Sequence, residues 1–104
     1  MEGYRKIKSE EDYQKTLEEH EYVFVIFSAT WCGPCKNLKK MIQDEYKTYP
    51  HPIVMVDVDE FEDLADGVQG LPTIVGFHQK NEVHRVVGFK PDNIKELLDS
   101  VLNN

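Results

Sequence analysis

The chain is poor in everything that would carry it into a bilayer or onto nucleic acid. Its longest apolar run, Tyr22 to Phe27, is far shorter than the roughly 20 residues a membrane-spanning helix needs. Basic residues are scarce: 12 Lys and Arg stand against 19 Asp and Glu, a net charge of -7. Phosphate binding works through a basic face that releases counterions, so this balance argues against nucleic acid and against anionic membrane surfaces. Met1–Lys6 carries no apolar stretch of the kind found in a secretory leader, and a cytoplasmic, reducing location is the expectation. Cysteine is scarce too, with two in 104 residues. In a reducing compartment such a pair does chemistry or binds metal more often than it braces a fold. No repeat, linker or low-complexity segment interrupts the chain, so one domain over residues 1–104 with a single core is expected.

What is present is patterned. Tyr4 to Lys8 reads as a short edge strand. Ser9 is placed as an N-cap with Asp12 three residues on, and Glu10, Glu11 and Asp12 suit the positive end of a helix dipole. Tyr13 and Leu17 give that helix one thin apolar stripe, ending near His20. Val23 to Phe27 is apolar without alternation, the pattern of a strand covered on both faces. Leu38, Met41, Ile42, Tyr46 and Tyr49 recur at helical spacing and predict a long helix to about Tyr49, stopped by Pro50 and Pro52.

Ile53 to Val58 is a second buried strand. Asp59, with Glu62 three residues later, predicts a short helix ending near Gly67. Gly70-Leu71-Pro72-Thr73 is a turn before a strand from Thr73 to His78. Lys80-Asn81 reads as a hairpin tip and Val83 to Val87 as the returning strand. Pro91 and Asp92 open a last helix whose apolar face is Ile94, Leu97, Leu98, Val101 and Leu102. The order β-α-β-α-β-α-β-β-α predicts an α/β fold, a mixed sheet of about five strands sandwiched by about four α-helices.

Trp31-Cys32-Gly33-Pro34-Cys35 lies where the first buried strand gives way to the long helix. Two residues between the sulfurs let them close into a small disulfide ring and reopen. Phe27-Ser28-Ala29-Thr30-Trp31-Cys32-Gly33-Pro34-Cys35-Lys36 together with Leu71-Pro72-Thr73 resembles the thioredoxin family, most of all its eukaryotic cytosolic members, and the likeness runs over nearly the whole chain. The thiolate is the attacking species in disulfide exchange. Cys32, just before the helix, meets unpaired backbone N–H groups and the dipole, with Lys36 and Lys39 adding positive potential. Pro34 fits the first turn, where its missing N–H costs nothing. Cys35, one turn inside, is expected to be more buried, so Cys32 attacks and Cys35 resolves.

The resemblance implies more. It makes Pro72 a cis proline facing the cysteines, with Leu71 turned outward to pair with a substrate strand. It places Gly70 and Gly88 on loops that flank the substrate groove, and Trp31 over one side of the disulfide. It implies a monomeric protein-disulfide reductase that serves cell redox homeostasis. Such a protein carries no bound cofactor, acts on disulfide-containing client proteins, and draws electrons from NADPH through a flavoprotein, thioredoxin reductase.

The chain also departs from the family. Relatives carry an aspartate six residues before the first cysteine, where this chain has Ile26. The position resembling that acid's lysine partner, Lys39, is left without it. A slower resolving step is the expectation, because a positioned base contributes about 10²–10⁴-fold. Lys40 stands where relatives often have a helix-kinking proline. The main rival reading is a binding or adaptor module with incidental redox activity. A zinc site joining the cysteines to His78 and His84 is disfavoured by the long gap from Cys35 to His78, so no metal is expected. A purely structural disulfide is disfavoured by the expected compartment.

Overall fold

A computed structural model of the chain describes residues 3–103. The elements follow as β1 (Arg5–Lys6), α1 (Glu10–Glu19), β2 (Tyr22–Ser28), α2 (Gly33–Glu45), β3 (Ile53–Asp57), β4 (Thr73–His78), β5 (Asn81–Val87) and α3 (Pro91–Ser100), with a 3₁₀ turn at Val101–Asn103. One five-stranded sheet has the order β1-β3-β2-β4-β5. β1 and β3 run parallel to β2, whereas β4 and β5 add antiparallel neighbours on the other side.

β2 sits at the centre because both of its faces are apolar. Phe24 and Ile26 join Ile53, Met55, Ile74, Leu38, Ile42, Ile94, Leu97 and Leu98 in the layer beneath α2 and α3. Val23, Val25 and Phe27 join Ile7, Tyr13, Leu17, Val54, Val56 and Val75 on the face that α1 covers. Helices above and below explain the missing alternation. The parallel register Phe24↔Ile53, Ile26↔Met55 and Ser28↔Asp57 continues this two-sided parity to the upper end of the strand, where α2 begins.

α1 starts as its sequence directs: the Asp12 N–H donates to Ser9 Oγ at 2.9 Å. Asp12 in turn accepts from the Lys8 N–H at 2.9 Å and from the Arg5 guanidinium at 2.9 and 3.1 Å. The Arg5 hydrogen bond, followed by that from Lys8, holds the Asp12 carboxyl below its ordinary range. A depressed folded value means stability that is present above the unfolded carboxylate range and is lost as pH falls through the folded one. Asp12→Ala is therefore expected to cost about 1 kcal/mol at pH 7. Urea denaturation of the two proteins at pH 7 and pH 3 checks it, with the gap closing on acidification.

Five expectations are corrected. Among the described residues three α-helices are found, not four, because Asp59–Gly67 folds as successive turns. Its backbone bonds are scattered, from Phe61 N–H to Asp57 O, Asp66 to Asp63 and Val68 to Ala65, and the capping oxygen belongs to Asp57 instead of Asp59. Asp57 Oδ1 accepts from the N–H groups of Asp59 (2.9 Å) and Glu60 (3.3 Å). α2 ends at Glu45, short of Tyr49, since Tyr46 leaves helical geometry as the C-cap. Both tyrosines instead reach α3, with the Tyr49 hydroxyl donating to Leu98 O and Tyr46 to Asp99.

The hairpin turns at Gln79–Lys80, one residue earlier than expected, with φ of 50° and 72°, the positive pair that a tight two-residue turn demands. Leu102 lies beyond α3 and is 48% exposed, outside the apolar face assigned to it. α2 itself is uninterrupted through Lys40, whose ammonium pairs with Asp44 at 2.9 Å.

Candidate active site

β2 ends at Ser28, and the next four residues deliver the cysteines to the first turn of α2. Cys32 is the N-cap, in extended geometry (φ -91°, ψ 112°), and its Sγ accepts from the Cys35 N–H at 3.2 Å. A sulfur here takes the place of the usual capping oxygen, so a backbone donor that every helix start leaves unpaired is aimed at it. Gly33 and Pro34 are the exposed first residues of the helix. The Cα atoms of Cys32 and Cys35 are 5.3 Å apart and the sulfurs are joined, a separation well within the disulfide range. Cys35 is fully buried, Cys32 is 5% exposed, and Ala29, Val58 and Leu71 pack around the pair.

The facing turn is built from Gly70 to Gly88. The Leu71–Pro72 peptide is cis. Thr73 Oγ1 donates to Gly70 O at 2.6 Å and the Gly88 N–H donates to Pro72 O at 2.7 Å, so both flanks of the proline are pinned. Gly88 has φ of +87°, and a Cβ on Gly70 would stand 3.0 Å from Val87 Cγ1. Gly88 takes a backbone conformation that side chains rarely adopt, and a Cβ on Gly70 would press on Val87. Beside the disulfide, Val58, Ala65, Val68, Gln69, Gly70 and Leu71 line a shallow hollow of about 290 Å³. A larger hollow of about 460 Å³ beneath α3, with Tyr22, His78 and Leu97, is at the other end of β2 and shares no residue with the cysteines.

Trp31 stands out into solvent, 69% exposed, and its indole Nε1–H donates to Asp59 Oδ2 at 2.8 Å. Sequence reasoning took Asp59 only for a helix cap. The signal that could have found it is the indole itself, since a tryptophan beside the cysteines has one donor that needs an acceptor. Asp59→Ala is expected to shift Trp31 fluorescence and slow exchange a few-fold while Asp59→Asn, which retains an oxygen, stays near wild type. Steady-state fluorescence and insulin turbidity are the measurements.

Of the two lysines, Lys36 is exposed. Lys39 is half-buried, and burial first, then the cations Lys6 and Lys36, push its amine down while Asp57 works the other way. Asp57, at the end of β3, is the carboxylate whose charge opposes that shift. Ile26 is fully buried in the layer under α2, so the strand interior offers no acid. His78 bonds to Glu21 at 3.0 Å and His84 is exposed on β5, away from the cysteines. Among the described residues, no group of three or more His, Cys, Asp or Glu is arranged to hold a metal ion.

A disulfide-linked cysteine pair at a helix cap, with a cis proline in the turn packed against it and a sheet of this order, defines a thiol–disulfide exchange centre. The thioredoxin family model matches residues 5–100. Thioredoxin-1 of Saccharomyces cerevisiae is 35% identical over 96 residues, covering 89% of this chain and 93% of that protein. Thioredoxin-2 of Pyricularia oryzae is 36% identical over 93 residues, or 86% of this chain, and the match spans only 54% of that longer protein. The solved structure of Plasmodium falciparum thioredoxin superposes with a TM-score of 0.87 at 26% identity, over 92% of this chain and 97% of the other. The chain belongs to the thioredoxin family.

Proposed function

We propose that the protein is a protein-disulfide reductase in which Cys32 attacks a client disulfide and Cys35 resolves the mixed disulfide. The observation that carries this reading is the asymmetry of the pair. Cys32 Sγ takes the capping bond at the helix mouth and retains some exposure, while Cys35 is wholly enclosed. A backbone donor and the helix dipole favour the anionic sulfur at the cap, and an enclosed sulfur meets only a partner already tethered to its neighbour.

The client strand lies against Gly70, Leu71 and Gly88, where the chain stays low enough for another backbone to approach. One client side chain enters the 290 Å³ hollow, and Trp31 covers the outer side of the scissile bond. Pro72 holds Leu71 facing the sulfurs. Gly33 and Pro34 keep the ring small, with Lys36 and Lys39 supplying positive potential as the client thiolate leaves. Electrons come from NADPH through thioredoxin reductase, and no cofactor is bound. The protein works as a monomeric single domain in the cytoplasm. This location is supported by a cysteine pair suited to cycling in a reducing compartment.

Reduction of insulin by dithiothreitol with catalytic amounts of the protein tests the activity, and a Cys35→Ser trap identifies clients. Catalysed precipitation of the insulin B chain is expected. A protein that leaves the dithiothreitol rate unchanged and traps nothing is an adaptor, not a reductase.

A further inference from the structure

β5 is not a regular strand. Its pairing with β4 runs in step from Thr73↔Val87 to Gly76↔His84 and then slips, so that Phe77 pairs with Glu82 and Val83 is an extra residue. In a regular strand, residues three apart point to opposite faces. The bulge at Val83 puts Glu82 and Arg85 on the same face, since their partners Phe77 and Val75 are two residues apart on β4. The two side chains then close a fork. Arg85 Nε donates to Glu82 Oε2 and Nη2 donates to Oε1, both at 2.8 Å, the paired geometry that fixes a guanidinium in plane and direction. That hydrogen bond is the main cause holding the Glu82 carboxyl below its ordinary range.

With two nitrogens committed, the third is aimed. Arg85 Nη1 donates to the Gly67 carbonyl at 3.3 Å. Gly67 ends the run of turns after β3, at φ of +85°, a conformation that glycine takes without strain. The next residues, Val68, Gln69 and Gly70, form one wall of the 290 Å³ hollow beside the disulfide. The Val68 N–H donates back to Ala65 O at 3.0 Å, and Gly70 O accepts from Thr73 Oγ1 at 2.6 Å. β5 supports both ends of this wall from one face. Arg85 bonds Gly67, and Val87, two residues on, has its Cγ1 3.0 Å from where a Cβ on Gly70 would stand.

We propose that Arg85, oriented by Glu82, is a positioning residue for client binding: its bond to the Gly67 carbonyl fixes the wall of residues 68–70 against which a client polypeptide seats. The inference rests on the reading of that hollow as the client's seat. The pair acts through the wall and takes no part in the exchange of sulfurs, around which Ala29, Val58 and Leu71 pack. Loss of Arg85 therefore weakens the hold on a polypeptide disulfide and leaves the reaction of Cys32 with a small disulfide as it was. A partly exposed charge pair is worth little by itself. This one is effective because the fork has already fixed the side chain before the bond to Gly67 forms.

The test compares two disulfides. Insulin reduction at varied insulin concentration, with dithiothreitol in excess, gives KM and kcat. Stopped-flow reaction of the reduced protein with 5,5′-dithiobis(2-nitrobenzoate) gives the rate of attack by Cys32 on a small disulfide. Arg85→Ala is expected to raise the insulin KM about threefold to fivefold, the scale of one partly exposed charge-assisted bond, with kcat and the attack rate unchanged. Glu82→Gln, which keeps one oxygen for the fork, is expected to shift KM the same way by less. Amide hydrogen exchange reads the wall itself, and the Val68 N–H is expected to exchange faster in Arg85→Ala. Unchanged KM with unchanged Val68 exchange overturns the positioning role. A loss of folded protein alone would lower kcat and leave KM where it was, and that result overturns it too. Faster Val68 exchange with an unchanged KM overturns instead the client seat on which the proposal rests.

Discussion

Cys32→Ser is expected to reduce insulin reduction to the rate of dithiothreitol alone, whereas Cys35→Ser completes the first half of the cycle and stops at a mixed disulfide. The difference follows from where the two sulfurs sit. Cys32 is the N-cap, its Sγ accepting the Cys35 N–H at 3.2 Å, so the donor that stabilises a negative sulfur is in place before any client arrives. A serine hydroxyl at the cap accepts the same bond but is not ionised at neutral pH and cannot attack a disulfide. Cys35 is fully enclosed by its helix, Ala29, Val58 and Leu71, and only a disulfide already on Cys32 comes within its reach. Iodoacetamide labelling of the reduced protein, followed by peptide mass analysis, is expected to modify Cys32 well before Cys35. Equal labelling of the two would remove the basis for dividing their roles.

Ile26→Asp is expected to make the protein less stable and the resolving step faster. Ile26 has no exposure and packs among Leu38, Ile42, Met55 and Ile74. A carboxylate there loses its hydration and meets an aliphatic layer, a penalty of about 3–5 kcal/mol at neutral pH. Burial raises such a carboxyl above its ordinary value of about 4. The sign is then fixed. The penalty is smallest below the unfolded carboxylate range and grows as pH rises through the raised folded value. Urea midpoints at pH 4 and pH 8 measure this directly, and the variant is expected to lose more against wild type at pH 8.

The kinetic gain is expected from the same carboxyl, which would stand on the face of β2 that lies beneath α2, the helix that carries Cys35. In stopped-flow reaction of the reduced protein with 5,5′-dithiobis(2-nitrobenzoate), the second release of thionitrobenzoate, on resolution by Cys35, is expected to accelerate about tenfold or more, within the range of a positioned general base. The aliphatic strand is thus a trade of proton transfer for core packing. A variant with wild-type stability and wild-type resolving kinetics would falsify this account of position 26.

Much of this could be read from the residues in order. The unbroken apolar runs at Val23–Phe27 and Ile53–Val56 report strands covered on both faces, because a strand turns successive side chains in opposite directions. Ser9 and Asp12 mark the start of α1, and the Trp-Cys-Gly-Pro-Cys run marks both the helix start and the chemistry. These features are local, set by backbone donors and side-chain direction within a few residues.

The misreadings lie where distant partners compete with local preference. Asp59 has the spacing of a helix cap, but Asp57 captures the backbone donors of that turn and the Trp31 indole takes Asp59. Tyr46 and Tyr49 keep helical spacing, yet their hydroxyls find α3 and α2 stops at Glu45.

The sequence by itself determined the strands of the sheet, three of the helices and the pair of sulfurs, since each depends on periodicity or on neighbours along the chain. Only the tertiary structure showed which residues enclose the pair, Ala29, Val58 and Leu71. It alone brought Ser28 beside Asp57. Strand register and helix docking make those neighbours, and they join residues some thirty positions apart that no local pattern connects.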